Sequence, residues 1–266
     1  MEGVLVNILG TLALLGISVA AYRFGAMDVW GSVSGFGLGL LIAAASGWAW
    51  VSVLIAFLVL GSGATRYRYQ FKLSIHAAEE KRGARGIRNV VANGAVAASI
   101  SIINHFEPSP VFTVLFVAAI ASAAADTLAT EIGLLSDKRP ILINRPSSVT
   151  PPGISGGVTL LGEMAALLGS LIMALFAAAV GVLASPLAYI LIAALAGFVG
   201  CNVDSLLGSL VQVLCTCGSC GMMTEKRVHC GQPTKWVKGW KAVGNNEVNL
   251  ISDVVAVAFA LLAFYA

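Results

Sequence analysis

The sequence predicts an all-α integral membrane protein: a polytopic bundle of about eight transmembrane helices with a small cytoplasmic cysteine-rich loop. Three observations predict it. Hydrophobic residues make up 58% of the 266 positions and charged residues only 11%, against roughly 25% charged in soluble domains. The apolar residues run in blocks of about 17–25, long enough to cross a bilayer core. The basic residues are clustered: of 16 Lys and Arg, seven lie in 66–88, three in 138–145 and five in 226–241.

The spans follow in order. The first, 4–21, has no Lys or Arg before it. It therefore lacks the basic n-region of a signal peptide and reads as a membrane helix. The second, 29–46, is weakened by the glycine-rich stretch Gly31–Gly39, which makes seven spans the alternative count. The third, 48–65, leads into the first basic loop. The fourth, 89–105, opens with Asn89 and Asn93-Gly94, and the fifth is 109–135. The sixth, 157–183, follows Pro151-Pro152-Gly153. The seventh is 186–214, and the eighth, 247–265, follows Asn245-Asn246. The fifth and seventh exceed the roughly 20 residues that a crossing needs, so their ends should project into the cytoplasm.

By the positive-inside rule the basic loop 66–88, the Gly/Pro loop 136–157 and the Cys-rich loop 215–246 are cytoplasmic. Eight crossings then put both termini outside. Residues 1–266 form one membrane domain. The net charge of +3 reads as topology rather than as a nucleic-acid footprint, so no nucleic-acid partner is expected. Membrane lipids are expected instead, because loop 66–88 suits anionic headgroups.

Two carboxylates break the apolar pattern. Asp126 opens Asp126-Thr127-Leu128-Ala129-Thr130-Glu131 and Asp204 opens Asp204-Ser205-Leu206-Leu207-Gly208. A carboxylate at the centre of a membrane helix costs roughly 2.5–3.5 kcal/mol by insertion scales unless something compensates. Two in matching D-[ST]-L contexts suggest one paired site and an internal repeat, since parallel repeats of this sort occur in membrane folds. The bland alternative is a pair of interhelical hydrogen bonds. Asp126 and Glu131 stand about 140° apart on an ideal helix, so Asp126 is expected to face the site and Glu131 its edge. Asn202, Ser205 and Gln212 lie near Asp204, and Gly197, Gly200, Asp204, Gly208 and Gln212 form one stripe. Spans four, six and eight bring Asn89 and Asn93, Gly153, Gly156 and Gly157, and Asn246 and Asn249 to the same boundary.

Gly156-Gly157 before span six offers backbone amides to an anion at a helix N-terminus, with Lys138 and Arg145 as cationic partners. Carboxylates beside a phosphate cradle suggest Mg²⁺, which binds through one or two carboxylates plus substrate phosphates. Arg88, where span four begins, suits a phosphate clamp. His76 and His105 read as isolated surface residues. Cys217-x-x-Cys220-Gly221 with His229-Cys230-Gly231 suggests a small structural Zn²⁺ knuckle on tight glycine turns. A reduced thiol cluster or a disulfide is the alternative there.

Arg88-Asn89 with Asn93-Gly94, Asp126-Thr127-Leu128 through Gly133, Pro152-Gly153 with Gly156-Gly157-Val158, Asp204-Ser205-Leu206-Leu207-Gly208, and Asn246 with Asn249 together resemble one polytopic membrane family. It is the family of the plant phytyl-phosphate kinase, distantly similar to dolichol kinases and CTP-dependent phytol kinases. The resemblance covers roughly residues 30–266. It implies a CTP-dependent kinase that converts an isoprenyl monophosphate, phytyl or geranylgeranyl phosphate, to the diphosphate. Asp126, Glu131 and Asp204 would hold Mg²⁺ and the nucleotide phosphates. Arg88, Asn93, Gly156, Gly157 and Asn249 would line the same pocket, with Asn89, Thr127, Thr130, Lys138, Arg145, Gly153, Asn202, Ser205 and Asn246 beside them. The expected setting is a prokaryotic cell membrane, archaeal hosts included, with the site facing the cytoplasm. The competing readings are a transporter of small phosphorylated solutes and a lipid cytidylyltransferase.

Overall fold

The computed structural model describes residues 2–79, 83–183 and 186–266. Among them are nine helices: α1 (Glu2–Arg23), α2 (Val29–Ser46), α3 (Trp48–Arg66), α4 (Tyr69–Ser74), α5 (Ile87–Phe106), α6 (Pro110–Gly133), α7 (Leu160–Ala179), α8 (Leu187–Leu210) and α9 (Asn245–Tyr265). All but α4 are long, and seven are long and apolar enough to cross a membrane; α5 is the long helix outside that set. Arg88, Asn89, Asn93 and Asn104 lower its hydropathy.

The weak span is therefore not 29–46, where the glycines suggested it. Those glycines serve close approaches instead. A Cβ on Gly31 would lie 2.0 Å from the Arg85 carbonyl oxygen, and one on Gly39 would lie 2.8 Å from Leu14. The turn before α5 and the flank of α1 dock where a side chain would block them.

Helix α6 is the axis of the bundle. It is buried over 78% of its most apolar window, against no more than 39% for any other span. It packs against α3, α5, α7, α8 and α9. Its inner stretch, Ala118 to Ala125, is mostly alanine, and small residues let neighbouring backbones approach when apolar lipid supplies no hydrophobic drive between helices. A Cβ on Gly197 would meet Ala121 at 2.6 Å, and one on Gly200 would meet Ser122 at 2.3 Å. The paired numbers rise together, so α6 and α8 run parallel, which carries Asp126 and Asp204 to one depth. On the other flank α7 crosses α6 glycine against glycine: a Cβ on Gly133 would lie 3.3 Å from the Gly162 Cα.

Two inter-helix segments contain short strands. The first holds β1 (Ile141–Leu142), β2 (Arg145–Val149) and β3 (Gly157–Val158) in the order β2-β1-β3. Span six consequently begins at Leu160 rather than 157. Gly157 and Val158 pair with Leu142 and Ile141, and the Thr159 hydroxyl caps α7 by accepting from the Gly162 amide at 3.0 Å. The second segment holds β4 (Leu214–Thr216), β5 (Met223–Thr224), β6 (Val228–His229), β7 (Gln232–Pro233) and β8 (Lys235–Lys238). Strand β4 pairs with β5 and β8, so span seven ends at Leu210 and not at 214.

Candidate functional site

A cavity of about 820 Å³ lies where α5, α6, α7, α8 and α9 meet the two strand-bearing segments and residues 75–79 and 83–86. Among the described residues its walls carry six carboxylates: Glu79, Asp126, Glu131, Glu163, Asp204 and Glu225. Among the described residues the cationic side chains in the same wall are Arg85 and Lys226.

Asp126 borders the cavity, half-buried, and accepts no hydrogen bond from another described residue. It lies within electrostatic range of Asp204, Glu79, Arg85 and Asp253. Asp204 is held more firmly. Its Oδ2 accepts from the Ser252 hydroxyl at 3.0 Å. The Asn249 amide, oriented to donate, reaches the same oxygen at 3.2 Å and the Asn245 carbonyl at 2.7 Å. Asn249 and Asn93 meet at 3.1 Å, so α5, α8 and α9 are tied together beside Asp204. Thr127 bonds back to the Ala123 carbonyl at 2.9 Å, as a hydroxyl in a helix does when no closer partner exists.

Glu131 is not a free edge residue. Lys72, on the short helix α4, donates to Glu131 Oε2 at 2.6 Å, to the Ala64 carbonyl at 2.8 Å and to the Thr65 carbonyl at 3.3 Å. Lys72 is 0% exposed and Glu131 3%. Loop 66–88 is thus not simply a headgroup-facing segment. It sends Lys72 inward to pair with α6, and Arg85 inward to lie 4.9 Å above the Phe57 ring. Arg85 fills space left by Gly61, where a Cβ would lie 2.4 Å from its guanidinium.

Of the residues expected from sequence, Asp126, Asp204, Glu131, Asn89, Asn93, Thr127, Thr130, Gly153, Gly156, Gly157, Ser205, Asn246 and Asn249 all line this cavity, as does His229. Arg88 does not. It is exposed and forms a 2.6 Å ion pair with Glu247. Lys138 and Arg145 are exposed and lie outside the wall. Asn202 donates to the Phe198 carbonyl at 3.0 Å and reaches the cavity through Glu163. Gly156 and Gly157 do not present α7's first amides, since they precede the Thr159 cap. Gly156, at φ +83°, lets its loop touch α8, for a Cβ there would lie 2.3 Å from that of Ser209. His76 is not isolated but sits in the wall.

Sequence reasoning missed Arg85, Glu79, Glu163, Glu225, Lys72 and Asp253. Asp253 carries the same signal as Asp126 and Asp204: it is a carboxylate inside an apolar helix, four residues after Asn249. It is 1% exposed, hydrogen-bonds Ser122, and leaves Oδ2 without a partner. Glu225 had no local signal. It accepts from the Ser155 hydroxyl, from the Ser155 amide at 3.2 Å and from Gln212 at 2.6 Å, pinning the cysteine-rich segment to the Gly/Pro loop. Burial raises its carboxyl above the ordinary range, against those hydrogen bonds.

Cys217, Cys220, His229 and Cys230 come together, with ligand atoms all within 4.8 Å of one another. The Cys217 thiol is lowered to about 6 by the Cys220 backbone amide, His229 and the Ser219 amide.

The fold and the acid-lined cavity at its boundary define a polytopic integral membrane protein. The chain belongs to the family described as integral membrane protein DUF92, whose model matches residues 12–257. It is 30% identical over 128 residues to an uncharacterized membrane protein of Methanocaldococcus jannaschii, covering 48% of this chain and 52% of that one. It is 36% identical over 141 residues to Protein PGR of Arabidopsis thaliana, covering 50% and 48%. With Protein VTE6, chloroplastic, of the same plant it shares 33% identity over 102 residues, covering 36% and 30%. The aligned regions span about half the length of the first two relatives. No solved structure matches.

Proposed function

We propose that this protein is a Mg²⁺-dependent kinase that phosphorylates an isoprenyl monophosphate to the diphosphate at the cytoplasmic boundary of the membrane, with CTP as donor. The observation that carries the reading is the meeting of Asp126 and Asp204, from parallel helices, in an acid-rich cavity large enough for a nucleotide and a second phosphate, since ligand sites run to roughly 300–1,000 Å³. Such a wall repels phosphates unless cations enter with them. The donor set fits a hard divalent ion: Asp126 has an uncommitted carboxylate and Asp204 one oxygen beyond the Ser252 bond. These two would hold Mg²⁺, which supplies charge neutralisation across the phosphates.

The chain's own groups do the rest. Arg85 offers a positioned guanidinium to a phosphate. Asn89 and Asn246 supply neutral donors that orient without adding charge, while Asn93 and Asn249 brace Asp204. An acceptor phosphate needs no catalytic base, because it is largely ionised at neutral pH with a second pKa of about 6. One of its oxygens bonds to the γ-phosphorus as the bridge to the β-phosphate breaks, leaving CDP. An apolar crevice between α1, α2, α3 and α5 reaches the same Arg85, Asn89 and Asn93. That junction supports an amphiphilic acceptor, with its head among polar groups and its tail among Leu14, Leu54 and Leu58. The CTP preference rests on the family resemblance and the cytoplasmic orientation on the basic loops.

The test is incubation of purified protein with Mg²⁺, geranylgeranyl or phytyl monophosphate, and each nucleotide in turn. Diphosphate with CDP released is expected. A CDP-linked lipid would indicate a cytidylyltransferase, and no turnover with any pair would sink the reading. Asp126→Asn and Asp204→Asn should each lower turnover at least about a hundredfold, roughly 2.7 kcal/mol of transition-state stabilisation, while inserting normally because a neutral amide is cheaper to bury.

A further inference from the structure

The cysteine-rich segment is built as two facing knuckles. In the first, between β4 and β5, the Cys217 amide donates to the Met222 carbonyl at 2.9 Å and the Gly221 amide to the Cys217 carbonyl at 2.9 Å. The Ser219 and Cys220 backbone amides point at the Cys217 sulfur. In the second, β6 and β7 pair His229 with Gln232 across a two-residue turn, Cys230-Gly231. Both turn residues have positive φ, 51° and 72°, the signature of a type I′ turn. The left-handed Cys230 resolves the difficulty that adjacent ligands pose in sequence, because the reversal brings its sulfur back to His229. Ser219 bonds Gln232 at 3.2 Å and joins the knuckles.

The interatomic distances are those of a coordination shell. His229 Nδ1 lies 3.5 Å from the Cys220 sulfur and 3.3 Å from the Cys230 sulfur. One imidazole nitrogen has a single lone pair or a single proton, so it cannot serve two thiols as ordinary hydrogen bonds. In a tetrahedron with Zn–S about 2.3 Å and Zn–N about 2.0–2.1 Å, the S···N edge is about 3.5–3.6 Å. All four cysteines near this segment, Cys215 included, are free thiols.

We propose that Cys217, Cys220, His229 through Nδ1, and Cys230 form a structural Zn²⁺ site that holds the β4–β8 unit over the cavity. Four protein ligands leave no open position, which makes the site structural rather than catalytic. Its role follows from what lies between the knuckles: Gly221 to Lys226 form one wall of the cavity, and Glu225 anchors that wall to Ser155 and Gln212. Fixing both knuckles to one ion fixes the wall. The inference does not depend on the kinase reading.

The test is metal analysis of the full chain, purified in detergent under reducing conditions without strong chelators. About one zinc per chain is expected, falling at least about tenfold in Cys217→Ser and in Cys230→Ser and staying near one in Cys201→Ser, which lies in α8. Titration of the wild-type thiols with a mercurial should release that zinc in step, a readout that does not require any variant to fold. Cobalt exchanged into the protein should show the visible bands of a tetrahedral thiolate site. Zinc absent from the reduced protein, zinc retained in both serine variants, or a disulfide found by mass spectrometry among Cys217, Cys220 and Cys230 would each overturn the proposal.

Discussion

Replacing Lys72 by methionine keeps the aliphatic stem and removes the ammonium, leaving the Glu131 carboxylate without its ion partner where it is 3% exposed. Removing one member of a buried pair costs about 3–5 kcal/mol, whereas replacing both by apolar groups of similar volume is often neutral. Two further bonds go with the ammonium, to the Ala64 and Thr65 carbonyls in the last turn of α3; a typical net hydrogen bond is worth about 1 kcal/mol. Glu131 also borders the cavity, where water can reach it, so Lys72→Met is placed at about 3 kcal/mol, the low end of the range. Glu131→Gln leaves the ammonium with its two carbonyls and an amide oxygen and should cost about 1–2 kcal/mol. In Lys72→Met/Glu131→Leu no charge is stranded, so the double variant should recover stability and show a coupling of about 2 kcal/mol. Equilibrium unfolding in mixed micelles, followed by circular dichroism, measures these proteins together with the Glu131→Leu single variant that closes the cycle. A Lys72→Met cost below about 1 kcal/mol, or simple additivity, would refute the buried pair as an anchor of α4 on α6. Activity in the stable double variant then separates two roles for Glu131. Retained turnover makes it an anchor for the basic loop, and lost turnover puts it with Asp126 at the metal.

Arg85→Gln should weaken use of the phosphorylated acceptor about 10–100-fold, the equivalent of a charge-assisted hydrogen bond at about 1.5–3 kcal/mol, and Arg88→Gln should change it little because an exposed ion pair is worth at most about 1 kcal/mol; the reverse order in steady-state kinetics would return Arg88 to the site. Gly156→Ala should loosen the 153–157 loop by about 2–4 kcal/mol, from the left-handed backbone and overpacking against Ser209, read as faster hydrogen exchange there. Gly153→Ala, whose Cβ would stand 3.1 Å from that of Ala77, should be milder, and equal exchange in both variants would remove the clash from the argument. The raised carboxyl of Glu225 binds its proton more tightly when folded, so its contribution to stability is full below the ordinary carboxyl pKa and declines as pH rises through the raised value. Glu225→Gln should flatten that decline in thermal unfolding across pH, and an unchanged profile would show that Glu225 does not titrate in that window. Cysteine labelling from outside intact cells should succeed at Glu107 and Pro186 and fail at Lys138; labelling at Lys138 would reverse the orientation drawn from the basic loops.

The membrane class, the helical bundle and the two helix-borne aspartates of the cavity wall are legible in the sequence. Apolar block length and charge are local quantities, and the bilayer converts them directly into helices because it offers no water to unpaired backbone groups. Carboxylates inside such blocks are costly, so Asp126 and Asp204 stood out without any knowledge of their neighbours. Packing between distant segments selects which cations face them. Arg85 and Arg88 are three residues apart in the same basic run, and nothing local separates the one over Phe57 from the one paired with Glu247 at the surface. Lys72 looked like its solvated neighbours until α4 folded against α6 and the C-terminal carbonyls of α3. Gly156 looked like an anion cradle because its contact with Ser209 on α8 joins residues more than fifty positions apart. The helices follow from one-dimensional pattern, while the direction each polar side chain takes follows from packing between distant segments.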